Sequence, residues 1–138
     1  MIDALIAAHH PDLIVIELGD TMASYGLPEL PRAWVQQQVR VLTARIAAQR
    51  TACAWVGPPW GSEGLSYPKT FVRVKEISEF LSTMVAPCRF IDSTRFARPG
   101  EWPTIDGQHL TGDGYRAWGA DIAASVAVLL RDRLPRTP

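Results

Sequence analysis

The sequence has little of what several large functional classes require. Its 138 residues carry 14 basic and 14 acidic side chains, so the formal net charge is zero. A chain that grips nucleic acid by phosphate attraction, or anchors to a membrane through a polybasic segment, needs a basic surplus that is missing here. Long apolar runs are also missing. The stretches at 13–16 and 123–130 fall far short of the roughly 20 residues of a membrane span, and Met1-Ile2-Asp3 opens no signal-peptide pattern. There are three His and two Cys. His9 and His10 end a helical stretch, where cations suit the helix dipole, and no further ligand stands at a metal-binding distance in sequence. No metal, cofactor, nucleic acid or membrane span is therefore expected, and there is no internal repeat.

What is present is enough for one folded domain. Hydrophobic residues make up 47% and aromatics 9%, which supports a packed core, and the length suits a single domain. Ile2, Leu5 and Ile6 lie at helical spacing and stop before Pro11. The run Asp12 to Gly19 (DLIVIELG), rich in β-branched residues and closed by glycine, predicts a buried parallel strand. Gly26, Pro28 and Pro31 mark 20–31 as a loop. Over 32–50, Val35, Val39, Leu42 and Ile46 share one helical face. Thr51 to Gly57 predicts a second strand, and Pro58-Pro59 opens a loop to residue 68. Phe71, Val74, Ile77, Leu81 and Met84 predict a helix over 69–84, and Cys88 to Asp92 a third strand. A loop at 93–108 leads to a last helix near Thr111, whose hydroxyl can cap it, with Trp118, Ile122, Val126 and Leu129 inward. Trp34, Trp55 and Trp118 are expected in the core.

Helix and strand alternate throughout, which predicts an α/β three-layer, flavodoxin-like fold with a parallel sheet. Sites in such sheets form beyond the carboxyl ends of the strands. The loops beginning at Gly19, Gly57 and Asp92 meet that condition. The most informative stretch is Asp106-Gly107-Gln108-His109-Leu110-Thr111. An Asp three residues before a His lets the carboxylate reach the imidazole, fix its tautomer and leave the other ring nitrogen as a general base. The same spacing also suits a plain turn in which Asp106 binds backbone amides and His109 is exposed. Trp60 and Trp102 stand on site-side loops as substrate contacts or as loop packing. Asp92 lies close enough to the same end to be worth substituting. Ser62, Ser66 and Ser93 read as solvated loop serines. Cys53 and Cys88 each precede the end of their strand by four residues, a register that allows a disulfide and equally two buried thiols. A disulfide implies an exported protein, free thiols a cytoplasmic one.

Three stretches in order carry a resemblance. "PDLIVIELG", "WVGPP" and "DGQHLTGDGYRAWG" resemble the third block, fourth strand and fifth block of the SGNH (GDSL) hydrolase family, over nearly the whole chain. The resemblance implies a serine esterase acting on a small ester or an O-acetylated carbohydrate. His109 is then the general base, Asp106 its orienting acid and Gly19 an oxyanion donor. Thr21 stands where that family usually has an Asn donor. The Gly-Asp-Ser block with the nucleophile finds no match: ten residues precede Pro11, too few for it. "GDTMASYGLP" has similar wording, but its preceding strand fits the third block better, which weighs against Thr21 as nucleophile. The expected sheet is thus incomplete on its N-terminal side. The edge of strand 12–18 would be left for a second chain or a homodimer to cover, unless the sequence is a piece of a longer product. A non-catalytic glycan- or partner-binding module with a degenerate site is the competing expectation.

Overall fold

The computed structural model of the protein describes residues 2–132. Its elements run α1 (Ile2–His9), β1 (Leu13–Glu17), α2 (Asp20–Ala23), α3 (Arg32–Ala48), β2 (Ala52–Val56), α4 (Phe71–Ser82), β3 (Arg89–Ile91), a short 3-10 turn (Ser93–Arg95) and α5 (Gly112–Arg131). The three strands are parallel and ordered β1-β2-β3. Leu13 pairs with Ala52 and Glu17 with Val56, while Ala54 pairs with Arg89 and Val56 with Ile91. All three strands therefore end at one level, and the loops that follow them share one end of the sheet.

Strand periodicity sorts the core into two faces. Cys53 and Trp55 of β2 pack with Ile6, Ile16, Val35, Val39, Ile46, Val74, Ile77 and Leu81 beneath α1, α3 and α4. Ala54 and Val56, one residue out of phase, pack with Ile91, Leu110 and Trp118 beneath α5. Successive side chains of a strand point to opposite faces, so one five-residue strand supplies both layers. Trp55 is fully enclosed, and its indole N–H donates to the Leu18 carbonyl at 2.7 Å, so burial leaves no polar group stranded. The helix spacing expected for α3 and α4 is met by Val35, Val39, Ile46, Val74, Ile77 and Leu81, all fully enclosed. Thr111 caps α5 and Thr70 caps α4, each accepting from a backbone N–H three residues on. No helix among the described residues is long and apolar enough to cross a membrane.

Four expectations need correction. Trp34 is 47% exposed: it precedes Val35 by one residue, about 100° around α3, and so faces away from the buried stripe. The strand expected to be buried is buried at Ile16 alone, and Val15 is 46% exposed. β1 pairs with β2 on one side and forms a sheet edge on the other among the described residues; Val15 points to the face opposite Ile14 and Ile16, where the α5-side core gathers residues of β2 and β3 and none of β1. The predicted loop at 20–31 holds the single helical turn of α2. The helix expected from residue 69 begins at Phe71, which leaves Lys69 in the preceding loop.

Cys53 and Cys88 form a disulfide, with 4.6 Å between their Cα atoms. It ties the start of β2 to the residue before β3, where the register brings the two to the same level. Of the two sequence readings, the cross-link is the one the structure contains.

Candidate active site

The acid–base turn is built locally. Ile105 N–H donates to the His109 carbonyl at 2.8 Å, and Thr111 N–H to the Pro103 carbonyl at 3.0 Å. Thr104 and Leu110 form an antiparallel bridge. Gly107 turns the chain at φ +110°, a region open to glycine, and a Cβ there would press on the Ser62 carbonyl oxygen at 3.0 Å. Within this turn Asp106 Oδ2 lies 2.7 Å from His109 Nδ1, while Asp106 Oδ1 accepts the backbone N–H groups of Gln108 (2.9 Å) and His109 (2.8 Å). Each carboxylate oxygen thus serves one of the two roles read from the sequence. The backbone amide of His109, then its ring, hold the Asp106 carboxyl down at about 2, because hydrogen bonds to the ionised form favour it. The His109 side chain is 54% exposed, and Nε2 has no partner among the described residues.

Two neighbouring loops complete this end of the sheet. The loop after β2 is joined to the turn by Ser62 N–H to the Gly107 carbonyl (2.9 Å), Tyr67 N–H to the Asp106 carbonyl (2.8 Å) and the Thr104 hydroxyl to Ser62 Oγ (2.9 Å). The loop after β1 carries Gly19, which lies against the Pro58 ring so closely that a Cβ would collide with it. The Gly19 carbonyl accepts from Met22 and Ala23 N–H at the start of α2. Thr21 is exposed on the first turn of α2.

Residues that the sequence did not single out lie between these loops. Lys69 is buried, with its ammonium 2.7 Å from Asp20 Oδ1. The Tyr25 hydroxyl donates to the same oxygen at 2.6 Å. The Tyr67 ring stands edge-on to Tyr25 at 6.1 Å and to His109 at 6.3 Å. Burial, with the Asp20 charge beside it, pushes the Tyr25 phenol up. Desolvation and then Asp20 raise the Glu17 carboxyl at the end of β1. Burial lowers the Lys69 ammonium, opposed by Asp20, Glu17 and Asp106. A lysine at the start of a predicted helix reads as a solvated side chain, so its burial had no local signal.

None of the other sequence candidates bonds to Asp106 or His109 among the described residues. The Trp60 indole N–H donates to the Thr94 and Ala97 carbonyls, and its ring meets Phe71 edge-on at 5.9 Å. Trp102 is partly buried against the α5-side core. Asp92 Oδ1 accepts from Ser78 Oγ, Thr94 N–H and Thr94 Oγ1. A groove of about 790 Å³ along the outer edge of β3 includes Trp60 and Asp92 in its lining but neither His109 nor Asp106. Ser93, expected as a solvated loop serine, is instead fully buried, because its Oγ accepts the Trp118 indole N–H beneath α5, and Ser62 is held by Thr104. Both cysteines are in the disulfide. Among the described residues no group of three or more His, Cys, Asp or Glu is placed to hold a metal ion.

The three-layer parallel α/β architecture is shared, at the level of the fold, by two solved structures. A peptidoglycan O-acetylesterase superposes with TM-score 0.70 at 18% identity, covering 88% of this chain and 38% of that one. A lipase/acylhydrolase from Enterococcus faecalis does so with TM-score 0.67 at 22% identity, covering 96% and 68%. In sequence the chain is similar to Protein BcsX of Komagataeibacter xylinus, 45% identical over 118 residues. That match covers 86% of this chain, which spans 44% of BcsX. No family model matches the chain.

Proposed function

We propose that this chain contributes the base and orienting acid of an SGNH-type serine ester hydrolase. The observation that carries the reading is the 2.7 Å contact between Asp106 Oδ2 and His109 Nδ1, made at the carboxyl end of a parallel sheet with Nε2 free toward solvent. With Nδ1–H engaged by Asp106, Nε2 is the basic nitrogen. It removes the proton from an attacking serine hydroxyl and returns it to the leaving alcohol, while Asp106 stabilises the imidazolium between the two steps. Gly19 N–H and the Thr21 hydroxyl are the proposed oxyanion donors. Thr21 is shorter than the amide side chain usual at that position, so its contribution is the weaker of the two.

The nucleophile is proposed to come from outside these residues, on a strand that pairs with the open edge of β1. Among the described residues β1 is an edge strand with β2 as its one partner, which supports this, since an unpaired apolar edge is otherwise an aggregation hazard. BcsX extends well beyond the matched length, which supports a further segment of the same polypeptide as its source. An O-acetylated carbohydrate is the proposed substrate class, in keeping with the esterase that shares the fold. The Cys53–Cys88 disulfide supports an exported location.

Hydrolysis of p-nitrophenyl acetate by the full protein tests the reading. His109→Ala is expected to lower kcat by about 10⁴ or more, the scale on which loss of a triad base acts; an unchanged rate would refute the role. A non-catalytic binding module is favoured by one observation, that no hydroxyl or thiol of the described residues bonds to His109. Its signature is binding of an O-acetylated glycan with no turnover by the unsubstituted protein.

A further inference from the structure

The Gly19–Thr21 loop and the Asp106–His109 turn come from distant parts of the chain and must keep a fixed separation for the proposed chemistry. The structure holds the first loop from outside through Arg73, whose guanidinium donates to the carbonyls of Ala23, Ser24, Leu27 and Pro28 at 2.8–3.3 Å. Arg73 lies on α4, and its hydrogen bonds and ion pair go to residues 23–28 and Glu76, none of them in the acid–base turn. The connection between the two active segments runs instead through Lys69. Its stem lies under Gly61, where a Cβ would meet Lys69 Cδ and Cε at about 3 Å and overlap the Gly107 carbonyl. Its ammonium ends on Asp20, the residue between Gly19 and Thr21. Contacts then close a ring: Asp20 to Tyr25, Tyr25 to Tyr67, Tyr67 to His109, His109 to Asp106, and Asp106 through the backbone of Tyr67 and Gly107 to the loop that carries Lys69.

An enclosed lysine is costly, and an apolar side chain of similar volume would usually serve the fold at least as well. Three carboxylates, Glu17, Asp20 and Asp106, share this end of the sheet with Lys69. Their mutual repulsion would push the two loops apart without a cation between them. We infer that Lys69 is a positioning residue, which locks the oxyanion loop at Gly19–Thr21 to the Asp106–His109 turn through the Asp20 carboxylate. The inference rests on the esterase reading for its kinetic consequence and on geometry alone for its structural one.

The test uses Lys69→Met and Tyr25→Phe in the full protein, with two readouts. The first is the set of backbone and imidazole ¹H–¹⁵N resonances of Gly19–Thr21 and Gly107–His109. The second is the division of p-nitrophenyl acetate kinetics between kcat and KM. Lys69→Met is expected to move or broaden the resonances of both segments together and to lower kcat tenfold or more, with KM within twofold. Tyr25→Phe, which removes one donor to Asp20 and keeps the ring, is expected to give the same pattern at smaller size. If folded Lys69→Met leaves the His109 resonances and kcat unchanged, the inference is overturned. Should Lys69→Met not fold, Tyr25→Phe decides: shifts confined to the Asp20 loop overturn it, and shifts reaching His109 support it. If the unsubstituted protein hydrolyses no ester, the esterase reading falls, while the resonances still decide whether Lys69 couples the two segments.

Discussion

Opening the Cys53–Cys88 disulfide gives a perturbation whose size follows from the fold. The bridge closes a loop with a sequence separation of 35 residues. In the chain-entropy treatment, removing such a cross-link releases about 12–13 cal/mol/K to the unfolded chain, or about 4 kcal/mol at 25 °C. For a protein of this length that corresponds to a fall in Tm of about 13 °C. Both cysteines are buried, at 3% and 6% exposure, so reduction and substitution act differently on the folded state. Reduction by dithiothreitol leaves the packing atoms in place and isolates the cross-link. Cys53→Ala/Cys88→Ala also removes two buried sulfurs, and is expected to cost as much or somewhat more. Urea denaturation followed by circular dichroism, with and without reductant, measures the difference. Alkylation in denaturant followed by peptide mapping should find neither Cys53 nor Cys88 modified before reduction and both modified after it. Both modified without reductant, or a loss below about 1 kcal/mol on reduction, would remove the support for an exported protein.

Two further predictions concern the acid–base turn. The Asp106 carboxyl is expected to titrate near 2 by ¹³C chemical shift rather than at its ordinary 3.8. Since the folded value is the depressed one, its contribution to stability is present above about pH 4 and lost as pH falls through 2. In His109→Ala the midpoint should rise only partway, because the backbone N–H of residue 109, the larger cause, remains. A midpoint near 4 in the unsubstituted protein would contradict the hydrogen-bond geometry. Gly61→Ala is expected to destabilise by about 1–3 kcal/mol and to disturb His109, because it forces a side chain onto φ +71° and against the Gly107 carbonyl. Stability within about 0.5 kcal/mol of the parent, with unmoved His109 resonances, would contradict the packing between the two loops.

Local patterns in the sequence carried over to the structure where the interactions are local. The helical stripes of α3 and α4 depend on spacings of three and four residues, and Val35, Val39, Val74 and Ile77 lie where that spacing puts them. The Asp106–His109 contact spans three residues and needs only a turn that Gly107 permits. Trp34 was misplaced because size and apolarity suggested burial, whereas its phase on α3 points it outward. β1 read as fully buried from its Val and Ile content, which reports what the strand could bury rather than what covers it here. The Lys69–Asp20 pair was illegible, since its partners are 49 residues apart and nothing local distinguishes a buried lysine from a solvated one. Loop closure brings Tyr25, Lys69 and Tyr67 together, and no periodicity encodes that meeting.

The most direct test of the central claim is labelling of the full protein with a fluorophosphonate, followed by peptide mapping of the adduct. One adduct is expected, on a serine outside these 138 residues, formed by the unsubstituted protein and lost in His109→Ala. An adduct on a serine within these residues, labelling that survives His109→Ala, or no labelling at all would contradict it.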